Sequence, residues 1–150
     1  MNREEILAKM KAMGAADAKE LQEQAAAKAV TETEIIAREE AAPRFDPNKD
    51  YTAWPVRAPV RDECQVWLLL QPHNAAHYTG RPSTLRALWG LAHTTDPKRA
   101  KPYVAPYGVS GLYYYGECCR FEGAVYRSIQ DDNPYSPAEF PAFWDKMEVN

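Results

Sequence analysis

From Met1 to about Ala42 the apolar positions recur at helical spacing. Ile6, Leu7, Met10 and Met13 share one face, and Gly14 reads as the end of that piece. Asp17 followed by Glu20 has the form of a capping box opening a second helix through Leu21 to Ala29. Thr31 followed by Glu34 has the same form and predicts a third helix around Ile35 and Ile36. The stripe is thin and rich in alanine, too thin to fill a core alone. It predicts a small helical hairpin, or a segment that packs on a partner or on copies of itself; the alternative is a solvated, partly frayed tail.

Between Pro43 and Pro59 the pattern changes: Pro43, Pro47, Pro55 and Pro59 interleave with Tyr51 and Trp54. Prolines this dense exclude helix and predict an extended connector. Beyond it the chain reads as strands, and it repeats. RDECQVWLLLQPHN (61–74) lies over RFEGAVYRSIQDDN (120–133) without a gap. Arg61 meets Arg120, Glu63 meets Glu122, Val66 meets Val125, Trp67 meets Tyr126, Gln71 meets Gln130 and Asn74 meets Asn133. After a short insertion within AAHYTGR, PSTLRALW (82–89) lies over PAEFPAFW (137–144).

Each copy predicts a hairpin and a returning loop. In the second, strands over Glu117–Phe121 and Ala124–Ile129 flank a Glu122-Gly123 turn, where glycine tolerates the positive φ of a tight hairpin. Prolines hold the loop, and its last residue, Trp89 or Trp144, folds back as a latch. Burying such a side chain contributes on the order of 2–3 kcal/mol, and a module of this size needs that pin. Trp67 and Tyr126 belong to the same sheet-and-latch set. The expected fold class is therefore α+β: a helical segment (1–42), a connector (43–59), a first β module (60–95), a linker (96–112) and a second β module (113–150).

Composition narrows the function. The formal charge of −3 and pI of about 5.6 argue against a nucleic-acid partner, which calls for a basic face. No apolar run is long enough for a membrane span. The opening MNREEILAKMKAMG lacks a signal-peptide layout, so secretion by that route is not expected. Cys64, Cys118 and Cys119 cannot all pair within one chain, which fits a protein made in a reducing cytoplasm. Twelve prolines and many aromatics fit small pinned modules better than an α/β enzyme.

Tyr113-x-x-Gly116-Glu117 followed by Phe121-x-Gly123-x-x-Tyr126 resembles the start of carbohydrate-binding modules of family 5/12, the small chitin-binding type. Tyr135-Ser136-Pro137 stands at that family's W-x-P position, and Pro141-Ala142-Phe143-Trp144 resembles its close. In the first copy, Leu70-Gln71-Pro72-His73 and Ala87-Leu88-Trp89 are similar to its L-Q-x-H and A-L-W. Glu117 stands where the family has Asp, Cys119 where it has Val, and Tyr135 where it has an exposed Trp. The series Asp131, Asn133, Ser136, Pro137, Pro141, Trp144 is similar to modules ending small phage and prophage tail-region proteins. The resemblance implies a virion tail-associated protein, made in the bacterial cytoplasm, that binds a cell-surface polysaccharide and other tail proteins. A homo-oligomer is an expectation from symmetry alone.

An exposed aromatic binds a pyranose by stacking. Tyr135 leads, because Pro134 and Pro137 hold its loop, and Tyr78 is second. Asn133, Asp132 and Gln130 are its expected hydrogen-bonding neighbours. The alternative is that both tyrosines simply cover a small core. His73 and His77 stand four apart, a spacing that can hold zinc on a helix, with His93 further on. But the stretch reads as a loop, no Glu follows His73 and no paired cysteines accompany it, so no metal or other cofactor is expected. A metal-dependent hydrolase built on the three histidines is the outside alternative. Cys118 and Cys119, neighbours in a strand, should point to opposite faces, one buried and one exposed. Lys98-Arg99-Ala100-Lys101 reads as a solvated connector too short to assign to an anionic wall polymer. Glu63 and Glu122 occupy equivalent turn positions rather than forming a catalytic pair, and no phosphate loop or nucleophile elbow is present, so no enzyme is expected. The rival reading is a purely structural tail or assembly protein whose modules dock other proteins.

Overall fold

The computed structural model describes residues 2–149. It is α+β: a long N-terminal helix, a short second helix, and two small sheets. Helix α1 spans Arg3–Ala26 and α2 spans Glu32–Ala37. The first sheet has the order β1 (Pro59–Asp62), β2 (Gln65–Leu69), β3 (Trp89–Leu91); the second has β4 (Lys101–Pro102), β5 (Cys118–Phe121), β6 (Ala124–Ser128), β7 (Trp144–Met147). All neighbours are antiparallel except β4 and β5, which run parallel.

The expected break at Gly14 does not occur. Gly14 and Asp17 lie inside α1, and the reciprocal capping box sits at Asn2 and Glu5 instead. One interior glycine costs about 1 kcal/mol of helix stability, too little to end a helix between good helix formers. The real stop is at Lys28, in the left-handed region at φ 55°. There the Ala29 amide donates to Gln24 O (2.9 Å) and the Lys28 amide to Ala25 O (3.1 Å), the Schellman pattern without its usual glycine. The Thr31–Glu34 capping box opens α2 as the sequence indicates. Leu21 and Ala25 of α1 join Ile35 and Ile36 of α2 in covering the first sheet at Val66, Leu68 and Ala92. The apolar stripe therefore has an intramolecular partner, but only over the C-terminal half of α1. Ile6, Leu7, Met10 and Met13 remain exposed.

Strand β2 is buried along its whole length because its two faces meet different cores. Val66 and Leu68 face the helices, while Trp67 and Leu69 enter an aromatic core with Phe45, Tyr51 and Trp89. Phe45 and Tyr51 come from the stretch expected to be a connector. That stretch instead packs as part of the first module: Tyr51 is completely buried, and its ring meets Trp89 edge-on at 5.2 Å. The second core repeats the arrangement with Tyr113 against Trp144 at 5.1 Å.

The two sheets share geometry position by position. Arg61 pairs with Val66 and Arg120 with Val125; Leu69 pairs with Trp89 and Ser128 with Trp144. A parallel neighbour flanks each hairpin, with Arg44 bridging Arg61 and Pro102 pairing with Arg120. The Phe45 amide donates to Arg61 O, and the Tyr103 amide to Arg120 O. Residues 42–45 thus play in the first module the part that 100–103 play in the second, with only Ala42 over Ala100 and Phe45 over Tyr103 marking the pair in sequence. The stretch around Lys98 is likewise not a free connector. It forms a 3-10 turn (Pro97–Arg99) leading into β4.

Both hairpins turn through two left-handed residues: Glu63 and Cys64 at φ 52° and 61°, Glu122 and Gly123 at 49° and 80°. Cys64 does in the first turn what glycine does in the second. Cys64→Gly is therefore expected to stabilise the protein by about 0.5–1 kcal/mol, read as a rise in the midpoint of thermal unfolding, with Gly123→Ala shifting it the other way.

Candidate functional site

Tyr135 lies on the loop between β6 and β7 with 41% of its surface exposed, and Phe140 beside it is 40% exposed. Their rings stack with centroids 5.4 Å apart and planes 26° apart. Phe143 backs the pair, 4.2 Å from Phe140 and 6.0 Å from Tyr135. Local chemistry holds this surface. Asn133 Oδ1 accepts from the Tyr135 amide, Ser136 and Glu139 cap the following turn reciprocally, and Trp144 Nε1 donates to Tyr135 O at 3.1 Å. The latch tryptophan thereby also fixes the backbone that carries the platform. Phe140 was not singled out in the sequence, although it stands between Pro137 and Pro141 as Tyr135 stands between Pro134 and Pro137. Its counterpart Leu85 is half-buried against the first core, and the aromatic pair belongs to the second module alone.

The expected polar neighbours separate. Asp132 and Gln130 are exposed, Asp132 at φ 50°. Asn133 is completely buried, and its side chain is taken up by Ser128 Oγ (3.1 Å) and the Tyr135 amide (3.1 Å). It positions the loop and has no face toward a ligand. Its register explains this: Asn133 pairs with Tyr113 across the base of the module, where a polar side chain must find internal partners. Tyr78, 47% exposed, meets the ring of His73 edge-on at 5.4 Å, and among the described residues pairs with no other aromatic ring. Trp67 and Trp89 are completely buried, Trp144 is nearly so, and Tyr126 is half-buried at the margin of the second core.

The histidines go separate ways. His73 is buried, with Nδ1 2.7 Å from Gln71 O; His77 is exposed. His93 is buried beneath Tyr113 at 3.8 Å, with Nε2 2.9 Å from Gly111 O. Among the described residues no three His, Cys, Asp or Glu side chains come together as a metal site would require. Cys118 and Cys119 are both buried, correcting the expectation that one would be exposed. Alternation is intact, but both faces of β5 are covered: Cys119 joins Tyr113 and Trp144, while Cys118 sits under the Thr94–Thr95 turn. Burial pushes the Cys118 thiol up to about 11 and the Cys119 thiol to about 12, which keeps both protonated and unreactive.

A cleft of about 350 Å³ lies where the helices meet both modules, lined by Leu70, Leu91 and Val109 together with Glu32, His93 and Glu117. The two carboxyl groups act here as braces: Glu32 Oε1 accepts from the His93 amide (2.8 Å) and Glu117 Oε1 from the Tyr114 amide (2.7 Å). Desolvation pushes Glu117 up to about 7, helped by the nearby negative charges of Glu32 and Asp131. Glu117 holds the turn that begins the second module, a task that Asp at the same place would perform with a shorter arm. No protein-family model matches the chain, and no curated protein matches it.

Proposed function

We propose that the protein is a non-catalytic, carbohydrate-binding component of a phage tail-type assembly that recognises a polysaccharide of the bacterial surface. The observation that carries this reading is the Tyr135–Phe140 surface. Two rings stand exposed, stacked with their planes 26° apart, on a loop whose backbone is held by prolines, Asn133 and Trp144. A rigid, exposed aromatic surface, with Asp132 and Gln130 exposed on the same loop, suits the apolar face and hydroxyl rim of a pyranose ring. Ordering such a surface in advance avoids the entropy cost of fixing side chains on binding. The matching pairings of the two sheets support descent of both modules from one unit, of which only the second carries the platform.

A second reading has its own observation. Ile6, Leu7, Met10 and Met13 form an exposed apolar stripe on α1, which favours docking to another tail protein or to copies of the chain. In the purely structural alternative this contact is the whole function. The test is retention on insoluble chitin and on host cell walls. Wild type is expected to be retained, and Tyr135→Ala, checked for folding, to lose at least about tenfold in affinity, the loss of one stacked ring. Folded wild type that no glycan retains sinks the carbohydrate reading and leaves the structural one.

A further inference from the structure

Two adjoining troughs run along the seam between the modules, away from the aromatic platform. One, of about 320 Å³, is bordered by Arg44, Arg61 and Lys101. The other, of about 290 Å³, is bordered by Lys98, Arg99, Lys101 and Arg120. Glu39 and Lys101 line both and form an ion pair at 2.6 Å, so the troughs meet at that pair. With Arg81, which also lines the first trough, seven cations thus border one groove of a chain whose formal charge is −3. The acidic groups along it are mostly engaged: Glu39 with Lys101, Asp62 bidentate with Arg81, and Glu40 4.0 Å from Arg99. Glu63 stands 3.7 Å from Arg81.

Arg61 and Arg120 occupy the same position in their modules and are held in the same way. Arg61 Nε donates to Ala42 O at 2.7 Å, and Arg120 Nε to Ala100 O at 2.9 Å. Each carbonyl belongs to the residue that opens the parallel neighbour of its hairpin. Pinned through Nε, both guanidinium groups keep their terminal nitrogens without a protein partner among the described residues. That is a pair of oriented forks suited to bidentate contact with phosphate oxygens. The exposed side chains of Arg44 and Lys98 extend the positive field along the groove.

We propose that this groove binds a phosphodiester-linked polyol chain of the bacterial cell wall, with Arg61 and Arg120 each gripping a phosphate. The proposal rests on the reading above that the partner is a surface polymer, and adds a second, anionic ligand class at a separate place. A flexible chain with regularly spaced phosphates can follow the seam from one fork to the next. Single-stranded nucleic acid fits less well. The troughs present no exposed aromatic face for base stacking, which such binding uses; Phe45 borders one of them but is buried.

The test measures binding of fluorescent poly(glycerol phosphate) of defined length to the full chain at about 50 mM salt, where surface charges are weakly screened. Wild type is expected to bind saturably, with affinity falling steeply as salt rises. Arg44→Glu with Lys98→Glu, two exposed positions whose side chains make no bonds among the described residues, should weaken binding at least about tenfold and leave retention on chitin unchanged. Arg61→Lys with Arg120→Lys keeps the charge and removes the forks, and a several-fold loss there assigns them. Absence of saturable binding by wild type overturns the proposal, as does unchanged binding by the folded Arg44→Glu/Lys98→Glu variant. A single-stranded oligonucleotide of equal charge that binds as tightly also overturns it, in favour of unselective polyanion binding. Polyanion binding without retention on chitin keeps this groove and removes the Tyr135 platform, so the two readings fail separately.

Discussion

Trp89→Ala is expected to cost about 3–5 kcal/mol of stability, the range for removing a large buried aromatic. Trp89 is completely buried and is the residue around which the first core is arranged. Its ring meets Phe45 at 5.9 Å, Tyr51 at 5.2 Å and His73 at 5.5 Å, each close to edge-on. Truncation removes the centre of that set, and the neighbours cannot collapse into the space because β1, β2 and the 42–58 segment are held by their own backbone bonds. A small domain has only about 5–15 kcal/mol in total, so the variant is expected to lose a large share of its stability. Urea unfolding followed by tryptophan fluorescence reads the loss. A cost below about 1 kcal/mol, the scale of a surface change, would mean that Trp89 is not the pin described here. Trp144→Ala is the matching change in the second core, where the lost Nε1 bond to Tyr135 O should also loosen the platform loop.

His93 is expected to make the protein acid-sensitive in a defined window. Burial lowers it from its ordinary 6.5 to about 4, with the positive Arg86 adding slightly and the bond to Gly111 O opposing. In the unfolded chain the imidazole takes a proton as pH falls through 6.5; in the fold it does not until about 4. Between those values the unfolded state holds the extra proton, so stability rises with pH. The contribution is complete above about 6.5 and is lost as pH drops toward 4, about 3 kcal/mol across the window. Glu117 runs the other way. Its folded value near 7 exceeds the ordinary carboxyl value, so between 4.5 and 7 the fold holds the extra proton and stability falls as pH rises. The wild-type profile contains both effects and can look flat. His93→Gln keeps a donor for Gly111 O but removes the titration together with the ring stacked on Tyr113. The stacking loss is the same at every pH, so the pH dependence of the difference in unfolding free energy between wild type and variant isolates the titration of His93. That difference should change by about 3 kcal/mol from pH 6.5 to pH 4. A difference independent of pH would show that His93 titrates normally in the fold.

The same residues show how far the linear chain could be read. The hairpin registers, the turns at Glu63 and Glu122, the Thr31–Glu34 cap and the buried Trp67, Trp89 and Trp144 were all legible. They rest on neighbours close in sequence: alternation, a left-handed turn, a serine or threonine three residues before a glutamate, a tryptophan closing a proline-held loop. Strand pairing within a hairpin, in particular, needs only a turn of the right shape and an apolar face to bury.

What only the tertiary structure decided involves partners distant along the chain. Gly14 does not stop α1, because its local cost is smaller than the gain from continuing. Residues 42–45 become a core segment only because Arg61, some twenty positions away, offers both its N–H and its C=O to their backbone. Cys118 and Cys119 are both buried because the Thr94–Thr95 turn, at the end of the first module, covers the second face of β5. Asn133, polar and beside the best aromatic, looks like a ligand contact in the sequence, but cross-strand pairing with Tyr113 places it inside. Phe140 joins Tyr135, and Arg61 and Arg120 come to border one groove, only once the loops are closed and the modules docked. Periodicity and turn chemistry specify which way a side chain points from its own strand. Which surface it then meets depends on contacts between segments far apart in sequence, and no local pattern encodes those.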